Sequence, residues 1–166
     1  MALTVSVISA VEVGEKAPNV VLYDTNLQRV ELRELFAQPT VLAFVPGAFT
    51  GVCTKEFCTF RDQMAEFNEL DAQVIGISVD APFSNAAWSK QNKFGFPVMS
   101  DFNREAVKAF DAYHENFAGM EGYTAPKRAV FIVDKEGIIR YKWISDHPGR
   151  EPNYDEIKAE LEKLED

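Results

Sequence analysis

Five consecutive apolar residues, Val41-Leu42-Ala43-Phe44-Val45, stand between Pro39 and Pro46. A run that is apolar on both alternating faces suits a strand covered on both sides, as in the middle of a sheet with helices packed against it. A dozen residues later the period changes: Phe57, Phe60, Met64 and Phe67 recur at i, i+3, i+7 and i+10, the apolar stripe of an amphipathic helix. The spacing predicts one helix over residues 54–70. A buried strand passing straight into a helix points to a layered α/β arrangement.

The remaining segments extend that frame. GEKAPNVVLYDTNLQRVEL reads as two short strands around a polar turn at residues 24–26, and residues 32–36 as one helical turn. The opening MALTVSVISAVEV lacks a basic n-region and carries Glu12, so it reads as a strand or arm rather than a signal peptide. Downstream, AQVIGISV is a strand, SNAAWSKQNKF a helix, PVMSD a short strand and REAVKAFD a helix. A polar, Gly-containing loop over residues 113–127 precedes RAVFIVD and IIRYKWIS, a hairpin turned at Lys135-Glu136-Gly137. After His147-Pro148-Gly149 a last helix covers residues 154–164. The order β-β-β-α-β-α-β-α-β-β-α predicts an α/β thioredoxin-like fold with an N-terminal β extension, as one domain over residues 1–166. A flavodoxin-like sheet is the alternative, disfavoured by the late hairpin and the lack of a Gly-rich phosphate loop.

A formal charge of −9 repels phosphate backbones and anionic lipid, so neither nucleic acid nor a membrane surface is an expected partner. No window reaches the roughly 18 apolar residues of a spanning helix. The chain has two cysteines, Cys53 and Cys58, too few for a disulfide framework; a cytoplasmic, reducing location is expected, where a conspicuous cysteine is more often catalytic than structural.

On a wheel of about 100° per residue, Cys53 falls on the apolar stripe four residues before Phe57. It faces the core from the first helical turn, where unpaired backbone N–H groups favour an anion. Cys58 lies roughly 145° from the centre of the stripe, in the polar sector of Lys55, Asp62, Ala65 and Glu69. Residues five apart in an intact helix have Cα atoms about 8.7 Å apart, whereas a disulfide needs less than about 7 Å. A Cys53–Cys58 bond therefore requires the helix start to unwind, and a permanent one is not expected.

Thr50 and Pro46 complete the local pattern, Pro-x-x-x-Thr-x-x-Cys. Thr50 suits an N-cap, a hydrogen-bonding partner of the thiol or its substrate, or both. By themselves Arg128 reads as a solvated charge at a strand end and Glu56 as an acid favoured by the first helical turn. Pro46, Thr50 and Cys53, set between an apolar strand and an amphipathic helix, resemble the active-site pattern of the peroxiredoxins. The likeness runs from Gly14-Glu15-Lys16-Ala17-Pro18 to Asp134-Lys135-Glu136-Gly137. It implies that Cys53 attacks a hydroperoxide and becomes a sulfenic acid, that Thr50 bonds the peroxide, that Pro46 shields the pocket, and that Glu56 orients Arg128. Full ionisation alone speeds an ordinary thiol of pKa ~8.5 only about thirtyfold at pH 7; the rest of the catalysis falls to donors aimed at the peroxide oxygens.

The Cys-x4-Cys spacing resembles the bacterioferritin-comigratory, or PrxQ, group, which implies that Cys58 resolves the sulfenic acid and that thioredoxin or a similar dithiol regenerates the enzyme. Phe49-Thr50-Gly51 also resembles a one-cysteine group that uses an external small thiol, and a peroxide sensor using the same thiol remains open. A disulfide reductase is disfavoured by the absence of Cys-x-x-Cys. His114 and His147 have no metal or relay spacing and read as surface or loop residues, Trp88 and Trp143 as core or interface aromatics. Tyr113, Phe117, Met120 and Tyr123 are large for an isolated loop and suggest a contact between subunits near the pocket; a homodimer is common in the resembled family. No cofactor and no metal is expected.

Overall fold

The structure, a computed structural model, describes residues 11–165; residues 1–10 of the expected N-terminal strand or arm lie outside the described residues. Strands β1 (Val21–Tyr23) and β2 (Arg29–Glu31) form the expected hairpin. Its turn is closed by Asp24 Oδ1, which accepts the N–H groups of Asn26 and Gln28 at 2.8 and 2.9 Å. There follow β3 (Thr40–Phe44), α1 (Gly51–Asp62), α2 (Met64–Glu69), β4 (Gln73–Ser78), α3 (Pro82–Asn92), β5 (Val98–Ser100) and α4 (Glu105–Ala109). Then come β6 (Tyr113–His114), β7 (Ala125–Pro126), β8 (Arg128–Val133), β9 (Ile139–Ser145) and α5 (Tyr154–Glu162). Seven strands make one sheet in the order β2-β1-β5-β4-β3-β8-β9. β3, β4 and β5 are parallel, and the two hairpins supply antiparallel neighbours on either side. This is the thioredoxin-like α/β arrangement with its β extension.

The apolar run becomes the middle of the sheet because both of its faces find a core. Leu42 and Phe44 join Phe110 and Phe131 on one side; Val41, Ala43 and Val45 join Phe57, Phe60 and Trp88 on the other. β8 alternates in the same way, with Ala129, Phe131 and Val133 opposite Val130 and Ile132.

Two segments depart from the sequence expectation. The single helix over 54–70 is two: α1 begins at Gly51 and is interrupted at Gln63 (φ −102°, ψ 8°) before α2. Phe60 and Phe67 would be separated by a rise of about 10.5 Å in a straight helix; with the interruption their ring centroids stand 5.7 Å apart in one core. Residues 113–127 are not a bare loop, since β6 and β7 pair across them and a 3-10 turn spans Phe117–Gly119.

One glycine sets how closely α1 approaches the sheet. A Cβ on Gly76 of β4 would lie 2.4 Å from Cε2 of Phe57, far inside contact distance, so the ring rests on bare backbone. Phe57 also stacks on Trp88 at 5.0 Å. Gly76→Ala is therefore expected to destabilise the chain by about 2 kcal/mol through overpacking, seen as a lower urea midpoint; an unchanged midpoint would mean that the helix shifts freely on the sheet.

Candidate active site

The sheet continues one residue past β3, where Val45 N–H donates to Ile77 O at 3.0 Å, and then residues 46–50 turn the chain into α1. Ala48 N–H donates to Asp80 Oδ2 at 2.8 Å, and the Thr50 hydroxyl donates to Gly47 O at 2.7 Å. Thr50 is the N-cap by backbone position, its carbonyl accepting Thr54 N–H at 3.0 Å, but its side chain does not cap. The hydroxyl oxygen keeps lone pairs for an incoming donor. Phe49 just before it sits at φ +64°, a left-handed conformation that costs a side chain with a Cβ roughly 1–2 kcal/mol. Three N–H groups at the helix start, from Gly51 to Cys53, have no carbonyl partner within α1.

Cys53 is 1% exposed, as its place on the apolar stripe requires. Arg128, the first residue of β8, is also 1% exposed, which corrects its reading as a solvated strand-end charge. Its Nη2 donates to Cys53 Sγ at 3.4 Å, and its Nη1 to Glu56 Oε2 at 2.7 Å. Nε and Nη2 both donate to the Pro148 carbonyl, at 3.0 and 2.6 Å. Glu56 is fully buried rather than a solvated first-turn acid. Burial pushes its carboxyl up to about 7, against the opposing charge and hydrogen bond of Arg128. Burial also works against the Arg128 charge, yet Glu56 and the Cys53 sulfur hold it above the ordinary arginine value.

Pro46, Thr50, Cys53 and Arg128 line one cavity of about 480 Å³. Glu56 stands behind Arg128, and Cys58 is not among the lining residues. Cys58 is half-buried at the margin of the core that holds Cys53, and both thiols are free. The wheel's polar sector is partly covered because the segment after β9 runs along α1 and α2: Glu151 pairs with Lys55, Tyr154 packs on Phe60, and Lys158 pairs with Glu66. A larger depression of about 960 Å³, lined by Pro39, Leu70, Asp134 and Arg140 among others, contains no thiol.

Sequence reasoning missed two contributions. Asp80 fixes the turn through Ala48, and Pro148 acts through its main-chain carbonyl, which no side-chain pattern reveals. Phe117, Met120 and Tyr123, expected at a subunit contact near the pocket, line the cavity wall. His114 is half-buried beside Phe117, and His147 is exposed. Among the described residues no cluster of His, Cys, Asp or Glu is placed to hold a metal ion, and no helix is long and apolar enough to cross a membrane.

Comparison with known proteins places the chain among relatives. The AhpC/TSA family model matches residues 13–142. Alkyl hydroperoxide reductase E of Mycobacterium tuberculosis (strain ATCC 25618 / H37Rv) is 38% identical over 132 residues, covering 78% of this chain and 82% of that protein. Peroxiredoxin Bcp of Bacillus subtilis (strain 168) is 34% identical over 143 residues, covering 82% and 90%. The crystal structure of peroxidoxin BcpB from Mycobacterium tuberculosis superposes with a TM-score of 0.83 at 28% identity, over 93% of this chain and 99% of that one.

The raised Glu56 carboxyl has a measurable consequence. Between about pH 4.5 and 7 the folded chain keeps a proton that the unfolded chain releases, so stability falls as pH rises through that window. Glu56→Gln is expected to lower the slope of the urea midpoint against pH there, leaving the part due to buried Asp101, whose carboxyl burial also raises, to about 6. A slope equal to wild type would mean that Arg128 keeps Glu56 ionised throughout.

Proposed function

Because the chain belongs to the AhpC/TSA family of peroxiredoxins, we propose that it reduces hydrogen peroxide and organic hydroperoxides with Cys53 as the attacking thiolate. The observation that carries this assignment is the buried Cys53 sulfur, 3.4 Å from an Arg128 nitrogen at the floor of a cavity shared with Pro46 and Thr50. Cys53 sulfur attacks the terminal peroxide oxygen. The O–O bond breaks, the departing alkoxide or hydroxide takes up a proton, and the sulfur is left as a sulfenic acid. Thr50, already donating to Gly47, accepts the peroxide O–H. Arg128 and the N–H groups at the start of α1 donate to the oxygens as negative charge moves onto the leaving one. Pro46 keeps bulk water from the sulfur.

In the second half-reaction Cys58 condenses with the sulfenic acid, releasing water and forming an internal disulfide that a thioredoxin-like dithiol reduces. With α1 intact the two Cα atoms are separated by about 8.7 Å, so the first turns unwind in each cycle. The same intact helix and the position of Cys58 outside the cavity favour the second reading, in which a small external thiol reduces the sulfenic acid directly. The assignment includes a cytoplasmic location, in keeping with two free thiols. It also includes a homodimer, supported by Phe49, Phe83, Phe102 and Met120, each between 39% and 70% exposed.

Two measurements test this scheme. Cys53→Ser is expected to abolish peroxide consumption, and after one equivalent of peroxide mass spectrometry should find a Cys53–Cys58 disulfide; a stable sulfenic or sulfinic acid with Cys58 free would select the external thiol instead. Arg128→Ala is expected to slow oxidation by peroxide by a hundredfold or so while slowing alkylation by iodoacetamide far less. Equal losses would reduce the role of Arg128 to holding the thiolate.

A further inference from the structure

Arg128 is gripped from two sides. Glu56 on α1 holds one nitrogen, while the Pro148 carbonyl receives two N–H groups, Nε at 3.0 Å and Nη2 at 2.6 Å. Nη2 is also the nitrogen that reaches the Cys53 sulfur. The direction of the Pro148 carbonyl therefore sets where Nη2 points, and that carbonyl lies on an exposed connection between β9 and α5, outside any ladder that would fix it.

The connection is organised by His147. Gly149 N–H donates to His147 Nδ1 at 3.1 Å, so the imidazole closes a turn over the intervening Pro148 peptide, as an Asx side chain does two residues ahead of itself. The main chain of the same residue is tied down as well: His147 N–H donates to Ser145 Oγ at 3.2 Å, the Ser145 hydroxyl to His147 O at 3.0 Å, and Arg150 N–H to His147 O at 3.1 Å. A second observation shows that the ring is seated there. A Cβ on Gly149 would meet His147 Cε1 at 3.0 Å and Nδ1 at 3.2 Å, so the glycine leaves room for the imidazole.

From this geometry we infer that His147 is a positioning residue for the peroxidase reaction, acting through the Pro148 carbonyl on the guanidinium of Arg128. The side chain touches neither the sulfur nor the peroxide; its unprotonated Nδ1 holds the turn that aims the carbonyl. The inference rests on the peroxidase reading above. One neutral hydrogen bond contributes enough to change a rate between about threefold and tenfold.

The test is the second-order rate constant for Cys53 oxidation by hydrogen peroxide, with iodoacetamide alkylation as a control for the thiolate. His147→Ala is expected to slow oxidation threefold to tenfold, with alkylation unchanged. His147→Asn, whose side-chain oxygen accepts the same N–H two residues on, is expected to stay within about twofold of wild type. In an Arg128→Lys background, where the two-nitrogen grip on Pro148 is gone, His147→Ala is expected to add little, the non-additivity of groups that act in series. Wild-type rates in His147→Ala, failure of Asn to restore the rate, or a full additional loss on top of Arg128→Lys would each overturn the inference while leaving the peroxidase reading intact. A wild-type chain inert to peroxide would take both down.

Discussion

A guanidinium that solvent cannot reach dictates the architecture around Cys53. Burying a charge of that size costs several kcal/mol unless its donors are occupied and a counter-charge stands close. Arg128 occupies its donors with the Glu56 carboxyl from α1, a carbonyl from the connection after β9 and the sulfur at the start of α1, and the carboxyl becomes a full counter-charge only as it ionises, at about pH 7. Three stretches far apart in sequence are thereby brought to one point, and the sulfur cannot move without disturbing a charge already desolvated. Positioning is thus a by-product of electrostatic necessity.

The sheet supplies the rigid side of this junction. Phe57 lies one turn beyond Cys53, wedged against the bare backbone of Gly76 and stacked on Trp88, while Trp88 in turn donates its ring N–H to Thr54 at 3.0 Å. The helix is pinned next to the thiol rather than at its far end. On the other flank the contacts are softer: Lys55–Glu151 is a largely exposed pair on the Lys55 side, 72% against 24%, and exposed pairs contribute at most about 1 kcal/mol.

What could be read from the sequence follows the range of each interaction. The buried strand, the inward turn of Cys53 and the hairpin around Gly137 depend on periodicity and turn chemistry, and both are local. Glu56 lies about 100° ahead of Phe57 on the wheel, a flank that is dry only because β8 and the Pro148 turn cover it. Glu56 and Arg128 were therefore identifiable through family resemblance, whereas composition alone left them as surface charges. Pro148 was visible only as a connection, since a carbonyl is common to every residue. The interruption at Gln63 was hidden because Phe60 and Phe67 fit one stripe equally well in a straight helix and in the broken one.

Phe49 carries a conformational cost at the turn into α1. Its backbone is held in a basin that a side chain of its size leaves when unconstrained, and its neighbours on both sides are tied down, Ala48 N–H to Asp80 and the Thr50 hydroxyl to Gly47. A rearrangement that freed this torsion would recover about 1–2 kcal/mol. That cost sits at the junction between the buried strand and the helix that carries both cysteines.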